Sequence, residues 1–517
     1  MKRRFQAVKG TRDILPPDSA LWNRVEQTAR DVFRAYNFHE IRLPILEEKD
    51  LFERSIGTDT EIVAKEMYFA TGRTQQYFEE SRARLVPVMK RAFPDNERMS
   101  NLVLSLEILF EFMRQAYLED EIPRTKENED HLKALSENIH RWSQPFQNEH
   151  EWLSYCSKIE EHLEPLEFGE QQVLRPEATA SVVRAYIEHG MHTQPGLARL
   201  YYIGPMFRRE RPQKGRFRQF YQIGAEVLGG SDAPAIDAEV IELVMVFIEK
   251  CGLKSCALTI NSIGCATCRP KYVARLRDAL EEVREKLGPD SQRRIDTNPL
   301  RVLDSKVEGE QPVIEKLPSI LDHLCEACRA HFAAVQEGLK ERGIAFTINH
   351  RLVRGLHYYM RTTFEVTAPG LGAQNAVCGG GRYDGLSELL GGPPTKGIGW
   401  ALGTDRLLLA LEAAGAQAEE KLDCFIVWLG SGRAPARALA RRLRDHGATV
   451  ELAYEEMKLG KALERADRLG ARFAVIVGDD EVARKKFTLR DLAAASQRSL
   501  AEAELMQQII GTTDKHR

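Results

Sequence analysis

The residues best suited to chemistry lie between positions 199 and 228, where two aromatic-rich segments flank a basic loop. This pattern predicts an antiparallel hairpin. Arg208, Glu210, Phe220, Gln222 and Glu226 would then share one face of the sheet, because alternate side chains of a strand point the same way. A guanidinium donates paired hydrogen bonds to a phosphate and an aromatic ring can stack on a purine, so this face is typical of a nucleotide site.

Basic and glycine-rich segments extend this pattern. The segments GLGAQNAVCGGGRYDGL and GIGWALGTDRLLLAL add Arg382 and Arg406 to the candidate cations. The loop at residues 208–218 holds six basic side chains against one acid, Glu210. Five more arginines crowd residues 433–444. That second run is typical either of a solvated helix face or of another contact with a long polyanion.

Four of the nine cysteines form two CxxC pairs, Cys265 with Cys268 and Cys325 with Cys328. Paired thiolates at this spacing fit tetrahedral zinc, here in a closed site that stabilises the fold without joining catalysis. The alternative is a set of partly buried packing residues, since the fold must close the 56 residues between the pairs. The remaining cysteines show no ligand spacing and are expected to pack in the interior: Cys156, Cys251, Cys256, Cys378 and Cys424.

Composition bounds the class of protein. The chain has 517 residues and a net charge of −3, which allows two to four domains and excludes wholesale coating of a polyanion. No apolar run approaches the roughly 18 residues of a membrane span, and the start MKRRFQAVKG lacks the apolar stretch of a signal peptide. We therefore expect a cytoplasmic protein that does not bind a membrane.

Residues 74–168 form a separate compositional block, with 19 acidic and 11 basic side chains and no glycine. Apolar residues at three- and four-residue steps predict helices over 79–93, 99–117, 128–142 and 149–163. The result would be a net −8 helical bundle, which either contacts a protein partner or is a structural elaboration. From residue 423 onward, strands alternate with helices, which predicts a small, mainly parallel α/β domain.

Six segments resemble the signatures of histidyl-tRNA synthetases and occur in that family's order. They are KGTRDILP, LRPEATA, GPMFRRERPQKGRFRQFYQIGAEV, RLVRGLHYYMRT, CGGGRYDGL and GTDRLLLAL. The resemblance covers nearly everything except residues 74–168. It implies an α+β fold, in which a class II synthetase antiparallel sheet with helices carries helical insertions and a C-terminal α/β anticodon-binding domain.

The same resemblance implies a division of the chain. Residues 1–73 and 169–262 would form the first part of the catalytic core, and residues 344–415 its second part. Residues 74–168 would be the acidic helical insertion, and residues 263–343 the family's helical insertion region with both CxxC pairs. Residues 421–510 would be the anticodon-binding domain.

The resemblance also implies roles for individual residues. Arg208, Arg354 and Arg406 match catalytic arginines that hold the phosphates of ATP, and Glu210 and Phe220 match other ATP-binding positions. Histidine would be bound by Glu177, Thr179, Gln222, Glu226, Tyr358 and Tyr359. The acceptor end of the tRNA would meet Arg211, Gln213, Lys214 and Arg216.

The implied activity is that of a histidine–tRNA ligase, which forms histidyl-adenylate from L-histidine and ATP and transfers histidine to histidine tRNA. Magnesium would accompany ATP, and residues 21–44 would build a homodimer interface. One alternative is a catalytically impaired paralogue that acts as a regulatory or binding subunit; another is a tRNA-binding protein without ligase chemistry. The retained arginines and the segment 421–510 favour the ligase.

Three positions depart from the family's motifs. His357 stands where RGLDYY has aspartate, Ala178 replaces a glycine, and Asp405 stands where glutamate is usual. We expect His357 to lie beside the histidine pocket and to weaken histidine binding. Ala178 is a minor change if its φ is negative.

Overall fold

The computed structural model describes residues 5–58, 60–70, 73–119, 122–140, 146–163, 171–213, 215–372, 375–416 and 422–513. The chain divides into two compact units, one with Met1–Asp13 and Asn23–Ala416 and the other with Ile14–Trp22 and Gln417–Arg517. None of the helices in the described ranges is both long and apolar enough to cross a membrane.

The first unit is built on two sheets. Its strands are β1 (His39–Glu40), β2 (Leu46–Glu48), β3 (Tyr68–Ala70), β4 (Gln172–Leu174), β5 (Ala198–Phe207), β6 (Gln219–Gly229), β7 (Ala257–Ser262), β8 (Thr347–Ile348), β9 (Met360–Thr367), β10 (Ala376–Arg382) and β11 (Lys396–Gly403). The larger sheet has the order β1-β5-β6-β11-β10-β9-β7-β8, and the smaller has the order β2-β4-β3. The six central strands of the larger sheet are antiparallel, whereas β1 and β8 join its edges in parallel. The hairpin expected at residues 199–228 is confirmed as β5 and β6.

Helices cover one face of the larger sheet. The helices up to residue 416 are α1 (Asp18–Ala35, in the first unit from Asn23 onward), α2 (Lys49–Ile56), α3 (Arg73–Met89), α4 (Asn96–Leu118), α5 (Lys126–His140), α6 (Glu149–Leu163), α7 (Thr179–Glu188), α8 (Pro234–Lys250), α9 (Arg269–Glu281), α10 (Pro289–Thr297), α11 (Gln311–Ile314), α12 (Glu326–Glu341), α13 (Leu386–Leu389) and α14 (Thr404–Ala413). Phe33 of α1 stacks on Tyr201 of β5 with ring centroids 4.3 Å apart. Phe33 and Phe247 of α8 also stack on Trp400 of β11, at 5.9 and 6.5 Å. Apolar burial therefore fixes α1 and α8 against this face.

The other face of the sheet is left for polar residues. Trp400 pairs with Ala225, so the neighbouring pair, Gly399 and Glu226, projects to the opposite side. Gly399 leaves the space that Glu226 fills, because a Cβ on it would lie 1.6 Å from the Glu226 carboxylate. The glycine-rich strands of the sequence thus provide a floor on which long side chains can lie flat.

The acidic block forms helices α3 to α6. The expected stripe on α4 is confirmed, because Leu102, Leu106, Leu109, Phe110 and Met113 are all buried. The first helix was misplaced by the sequence analysis: it begins at Arg73 and ends at Met89, with Pro87 inside it. Trp152 of α6 lies in the same core, and its indole N–H donates to the Met89 carbonyl over 2.7 Å.

The second unit follows a strand–helix order from residue 422. Its elements there are β12 (Leu422–Trp428), α15 (Arg433–Asp445), β13 (Val450–Leu452), α16 (Leu459–Arg468), β14 (Ala471–Val477), α17 (Asp479–Arg484), β15 (Phe487–Asp491), β16 (Ser496–Leu500) and α18 (Glu502–Thr513). The sheet order is β13-β12-β14-β15-β16. Strand β12 is parallel to β13 and β14, as expected, but β15 and β16 are antiparallel additions that the sequence analysis did not predict.

Candidate active site

A cavity of about 450 Å³ opens on the polar face of the larger sheet. It brings together residues that are far apart in the sequence, from the hairpin, the LRPEATA segment, the RGLHYY segment and α14. Eleven residues expected to bind a ligand line it: Glu177, Thr179, Arg208, Glu210, Arg216, Phe220, Gln222, Arg354, Tyr358, Tyr359 and Arg406.

The LRPEATA segment places Glu177 at the start of α7. The two carboxylate oxygens of Glu177 accept hydrogen bonds from the backbone N–H groups of Thr179 and Ala180, at 2.7 and 2.9 Å. Burial raises the pKa of Glu177, although both backbone N–H groups act against that rise. Ala178 has φ −114°, so alanine in place of glycine costs no backbone strain, as expected.

Glu226 lies beneath the cavity and is fully buried. Its carboxyl oxygens accept from the Thr179 hydroxyl over 2.8 Å and from the Tyr383 hydroxyl over 2.5 Å. Burial raises the pKa of Glu226 to about 8, despite these two hydrogen bonds. The group is therefore mostly neutral near pH 7 and is held by two hydroxyls in a fixed position.

The two tyrosines of RGLHYY complete this end of the cavity. Both rings are buried, with centroids 4.7 Å apart, and the Tyr358 hydroxyl donates to Glu177 over 3.5 Å. The side-chain carbonyl of Gln222 is buried and accepts no hydrogen bond within the described part of the chain. Since a buried amide oxygen is normally paired, Gln222 is suited to accept from a bound ligand. This end of the cavity therefore suits a small polar molecule with N–H donors.

The other end of the cavity is cationic. Arg208 lies over the Phe220 ring at 5.3 Å from its centroid, and its Nε donates to the Pro176 carbonyl over 2.9 Å. Arg354 donates to Glu365 over 3.2 Å. Burial, with a smaller contribution from Arg216, lowers the pKa of Arg406. Guanidinium groups converging on one cavity suit a polyphosphate, because each can donate two hydrogen bonds to phosphoryl oxygens.

Space for Arg354 comes from the CGGGRYDGL segment. A Cβ on Gly379 would lie 1.4 Å from the Arg354 guanidinium. Any larger residue there would displace the arginine, which explains why the strand beneath it carries glycine.

Asp405 connects three parts of the site. One oxygen accepts from Arg12 of the KGTRDILP segment over 2.9 Å, and the other accepts from the Tyr221 backbone N–H over 3.2 Å. Aspartate in place of the usual glutamate therefore still ties α14 to β6 and to the first motif.

The basic loop of the hairpin divides in two. Arg211 and Gln213 are exposed, as residues that meet a tRNA must be. Arg216 instead turns towards the cavity and pairs with Glu210 over 3.0 Å. Lys214 lies outside the described residues.

Three residues at the site were missed by the sequence analysis: Glu66 and Glu365 in the cavity wall, and Tyr383, which holds Glu226 beneath it. Tyr383 stands in the recognised CGGGRYDGL segment, so its motif was a usable signal. Glu365 lies on the side of β9 that faces the cavity, and Glu66 lies in a short segment before β3. Both line the cavity, and neither belongs to a recognised motif. Cys378, expected to be a packing residue, also contributes to the cavity wall.

The expected place of His357 is wrong. Its side chain is not among the residues that line the described cavity. The ring lies against Gly57, where a Cβ would approach its Nδ1 to 2.4 Å, and its Nε2 is 3.2 Å from the Asn298 amide nitrogen. Tyr358 and Tyr359 turn into the cavity while the residue before them turns away.

The four CxxC cysteines do come together. The sulfurs of Cys265 and Cys268 are 3.8 Å apart, those of Cys265 and Cys325 are 3.8 Å apart, and those of Cys268 and Cys328 are 3.9 Å apart. All four sulfurs lie within 4.8 Å of one another. A tetrahedral zinc ion with Zn–S bonds of about 2.3 Å requires sulfurs about 3.8 Å apart, so the cluster has the dimensions of a tetrathiolate site.

Comparisons with known proteins agree with this geometry. A family model described as histidyl-tRNA synthetase matches residues 167–407, and one described as anticodon binding domain matches residues 423–512. The chain is 46% identical over 506 residues to the histidine–tRNA ligase of Koribacter versatilis (strain Ellin345), covering 97% of this chain and 95% of the relative. It is 44% identical over 503 residues to that of Solibacter usitatus (strain Ellin6076), covering 97% and 98%. The crystal structure of apo histidyl-tRNA synthetase from S. aureus matches with a TM-score of 0.66 and 30% identity, covering 98% of this chain and 100% of that one.

Proposed function

The chain belongs to the histidyl-tRNA synthetase family, and from that premise we propose how its own residues perform the reaction of a histidine–tRNA ligase. The observation that carries the proposal is one cavity with two chemically different ends. Arg208, Arg354 and Arg406 line one part of it, and Glu177, Gln222 and two tyrosines line another, above the buried Glu226.

Histidine would occupy the end with the buried carboxyls. The Glu177 carboxylate faces the cavity beside Tyr358 and is suited to the α-amino group. Gln222 and Glu226 offer polar partners near the floor, which an imidazole needs for discrimination, because a polar side chain is rejected or accepted mainly through buried hydrogen bonds. Thr179 and Tyr359 complete the walls of this pocket.

ATP would occupy the cationic end. Adenine would stack on Phe220, Glu210 would lie beside it, and the three arginines would hold the phosphates. The histidine carboxylate then attacks the α-phosphorus and pyrophosphate leaves, which gives histidyl-adenylate. Arg208 and Arg354 stabilise the charge that builds on the phosphoryl oxygens, and no protein nucleophile is needed.

The second step joins histidine to the tRNA. A terminal ribose hydroxyl attacks the adenylate carbonyl and AMP leaves. The exposed Arg211 and Gln213, together with Lys214, are the proposed contacts to the acceptor end, and Arg216 would act from inside the cavity. Ligases of this class use ATP with Mg²⁺; the carboxylates of Glu210 and Glu365 fit its preference for oxygen ligands and would hold it beside the phosphates, where it would neutralise charge.

The regulatory or binding subunit that the sequence left open has no support from the comparisons. All of the similar relatives above are named as histidine–tRNA ligases, and they match over nearly their whole length. The residues proposed to bind ATP also all line the cavity, which supports the ligase because a tRNA-binding protein would not require them.

The experiment that tests the function is histidine-dependent exchange of labelled pyrophosphate into ATP. Exchange is expected with histidine and not with the other amino acids, followed by charging of histidine tRNA. Failure of exchange in correctly folded protein would overturn the proposal, and exchange with another amino acid would overturn its specificity.

We also propose that Cys265, Cys268, Cys325 and Cys328 bind one zinc ion per chain. The support is the match between their sulfur separations and a tetrahedral tetrathiolate site. Metal analysis of protein purified without added zinc should give about one zinc per chain, and a Cys265→Ser, Cys268→Ser double variant should lose it. The matched control is Cys256→Ser, outside the cluster. A stoichiometry near zero in the unaltered protein would favour packing cysteines.

The remaining proposals concern the assembly. We propose a cytoplasmic homodimer whose interface includes residues 21–44. We also propose that the chain is divided into a catalytic core (1–73, 169–262 and 344–415), an acidic insertion (74–168), a cysteine-bearing insertion (263–343) and an anticodon-binding domain (421–510). The insertion at 74–168 would meet a protein partner or elaborate the fold.

A further inference from the structure

The tyrosine segment of the histidine pocket is hydrogen-bonded to the segment that carries the first CxxC pair. The Arg269 guanidinium donates to the Tyr359 carbonyl over 2.7 Å. The Arg361 backbone N–H donates to the Gly264 carbonyl over 2.7 Å, and the Ile263 N–H donates to the Arg361 carbonyl over 2.8 Å. These three bonds join residues 359–361 to residues 263–269.

The backbone of the tyrosine segment needs this support. Arg361 has φ +48°, a left-handed conformation that residues other than glycine adopt at a cost. Such a conformation persists only where its surroundings hold it. Here they are the CxxC segment and Asp232, which accepts from the Arg361 guanidinium over 2.7 Å.

Arg269 is a cation that lies directly beside the cysteine cluster. It is the first residue of α9 and follows Cys268 directly. Among the described residues no ion pair includes Arg269, and its backbone N–H donates to the Cys265 carbonyl over 2.9 Å, which holds it beside the cluster. Arg361, by contrast, already has an acidic partner, because its guanidinium donates to Asp232 over 2.7 Å. A zinc ion with four thiolates carries a charge of −2, and the neighbouring Arg269 guanidinium would balance part of it.

We propose that the metal-bound cysteine cluster positions Tyr359 in the histidine pocket through Arg269. Arg269 is then a positioning residue, and metal occupancy sets the affinity for histidine. The inference rests on the proposed histidine–tRNA ligase activity. It goes beyond a closed structural site, because loss of the metal would alter the KM for histidine while the fold persists.

The first test compares variants of one helix. Arg269→Met removes the charge and the donor, and should raise the KM for histidine by roughly 10-fold while kcat and the KM for ATP change by less than about 3-fold. Arg269→Lys, which keeps a charge and a donor, should recover part of the loss. Arg275→Met is the matched control, because Arg275 is an exposed arginine on the same α9. An unchanged KM for histidine in Arg269→Met, with zinc still bound, would overturn the proposal.

The second test uses the unaltered protein and does not depend on a variant folding. Zinc is removed with a chelator and then restored, and the KM for histidine is followed in pyrophosphate exchange at each stage. We expect the KM to rise on removal and to recover with zinc. A KM for histidine that is the same with and without zinc would overturn the link between the cluster and the pocket. Purified protein that holds no zinc yet binds histidine normally would overturn it as well.

The two levels of failure can be told apart. Absence of histidine-dependent exchange in zinc-loaded protein would contradict the ligase function itself. Normal exchange without a metal-dependent KM would contradict only the role of Arg269 and the cluster.

Discussion

Glu226 shows how one buried carboxyl can serve a binding site. It has no exposed surface and accepts hydrogen bonds from Thr179 and Tyr383, which hold its position. Burial keeps it protonated to about pH 8, so the pocket floor carries little negative charge at neutral pH. A neutral carboxyl can donate one hydrogen bond and accept another, which suits an imidazole with one donor and one acceptor nitrogen.

This burial has a consequence for stability. The pKa of Glu226 is about 8 in the folded protein and about 4.5 when unfolded, so the folded state holds more protons between these values. Its contribution is therefore full below about pH 4.5 and is lost as the pH rises through about 8. In that window, the free energy of unfolding of the unaltered protein, relative to Glu226→Gln, should fall by on the order of 1 kcal/mol per pH unit.

Urea unfolding of both proteins without substrates, at about pH 5.5 and about pH 7.5, measures this difference. The glutamine cannot titrate, so other groups cancel in the comparison. A difference that is constant with pH, or that grows as the pH rises, would contradict the assignment of a protonated Glu226.

The proposed role of Arg354 in stabilising the reacting phosphate can be tested by removing its positive charge. Arg354→Ala should lower the rate of histidyl-adenylate formation by roughly 100-fold or more, because it removes a cation from the reacting phosphate. Folding should be largely kept, since the side chain lies on the open face of the sheet above Gly379. Pyrophosphate exchange gives the rate. Arg293→Ala, an exposed arginine of α10, is the control, and undiminished exchange in Arg354→Ala would refute the role.

The motifs predicted which residues lie at the site better than they predicted which way each side chain points. Arg208 and Arg406 were singled out by their strand and glycine-rich contexts and Arg354 by the family resemblance, and all three line the cavity. The direction of His357 was wrong because its neighbours in the motif face the cavity, while its own contacts with Gly57 and Asn298 depend on distant segments. Glu365 was missed since strand alternation marks half of all strand residues and does not say which face holds a site.

At the scale of elements, local periodicity predicted helices and strands well. The stripe of α4, the β5–β6 hairpin and the first three strands after residue 421 follow from apolar spacing and turn residues. Contacts between segments far apart in the sequence could not be predicted in this way. The 56 residues between the CxxC pairs give no sign that the four sulfurs meet, and only a short α17 precedes β15 while no helix separates β15 from β16, so another parallel unit was not marked.

The acidic insertion has its own core, so it can be removed as an element. Helices α3 to α6 bury their apolar residues against one another, including Leu106, Leu135 and Trp152. Its net charge of −8 would repel a phosphate backbone. Replacing residues 74–168 by a short turn should therefore change the affinity for histidine tRNA by less than about 3-fold at moderate salt.

Filter binding or fluorescence anisotropy with histidine tRNA measures that affinity. Pyrophosphate exchange on the shortened chain serves as the control for an intact catalytic core. A large loss of tRNA affinity with exchange preserved would show that the insertion contacts the tRNA after all.

At the scale of the whole molecule, charge is separated along the chain. The whole chain is −3 and residues 74–168 are −8, so the rest is net +5. This separation lets a nearly neutral protein present basic surfaces, such as the 208–218 loop and the arginines of α15, without binding every polyanion. Salt should therefore weaken tRNA binding much more than histidine binding.

The edge of the larger sheet leads to the last prediction, which concerns assembly. In the described sheet β1 is the edge strand, and both His39 and Glu40 are exposed. Ile45 and Leu46 follow it with 44% and 46% of their surfaces exposed. An exposed strand edge beside apolar side chains is suited to association with a second copy.

Light scattering at micromolar concentration should give twice the chain mass of 58.6 kDa. Ile45→Asp should shift the protein towards the monomer, because it places a charge in the contact, whereas Val88→Asp, exposed on α3, should not. A monomer at all concentrations, or equal dissociation by both substitutions, would refute an interface at this edge.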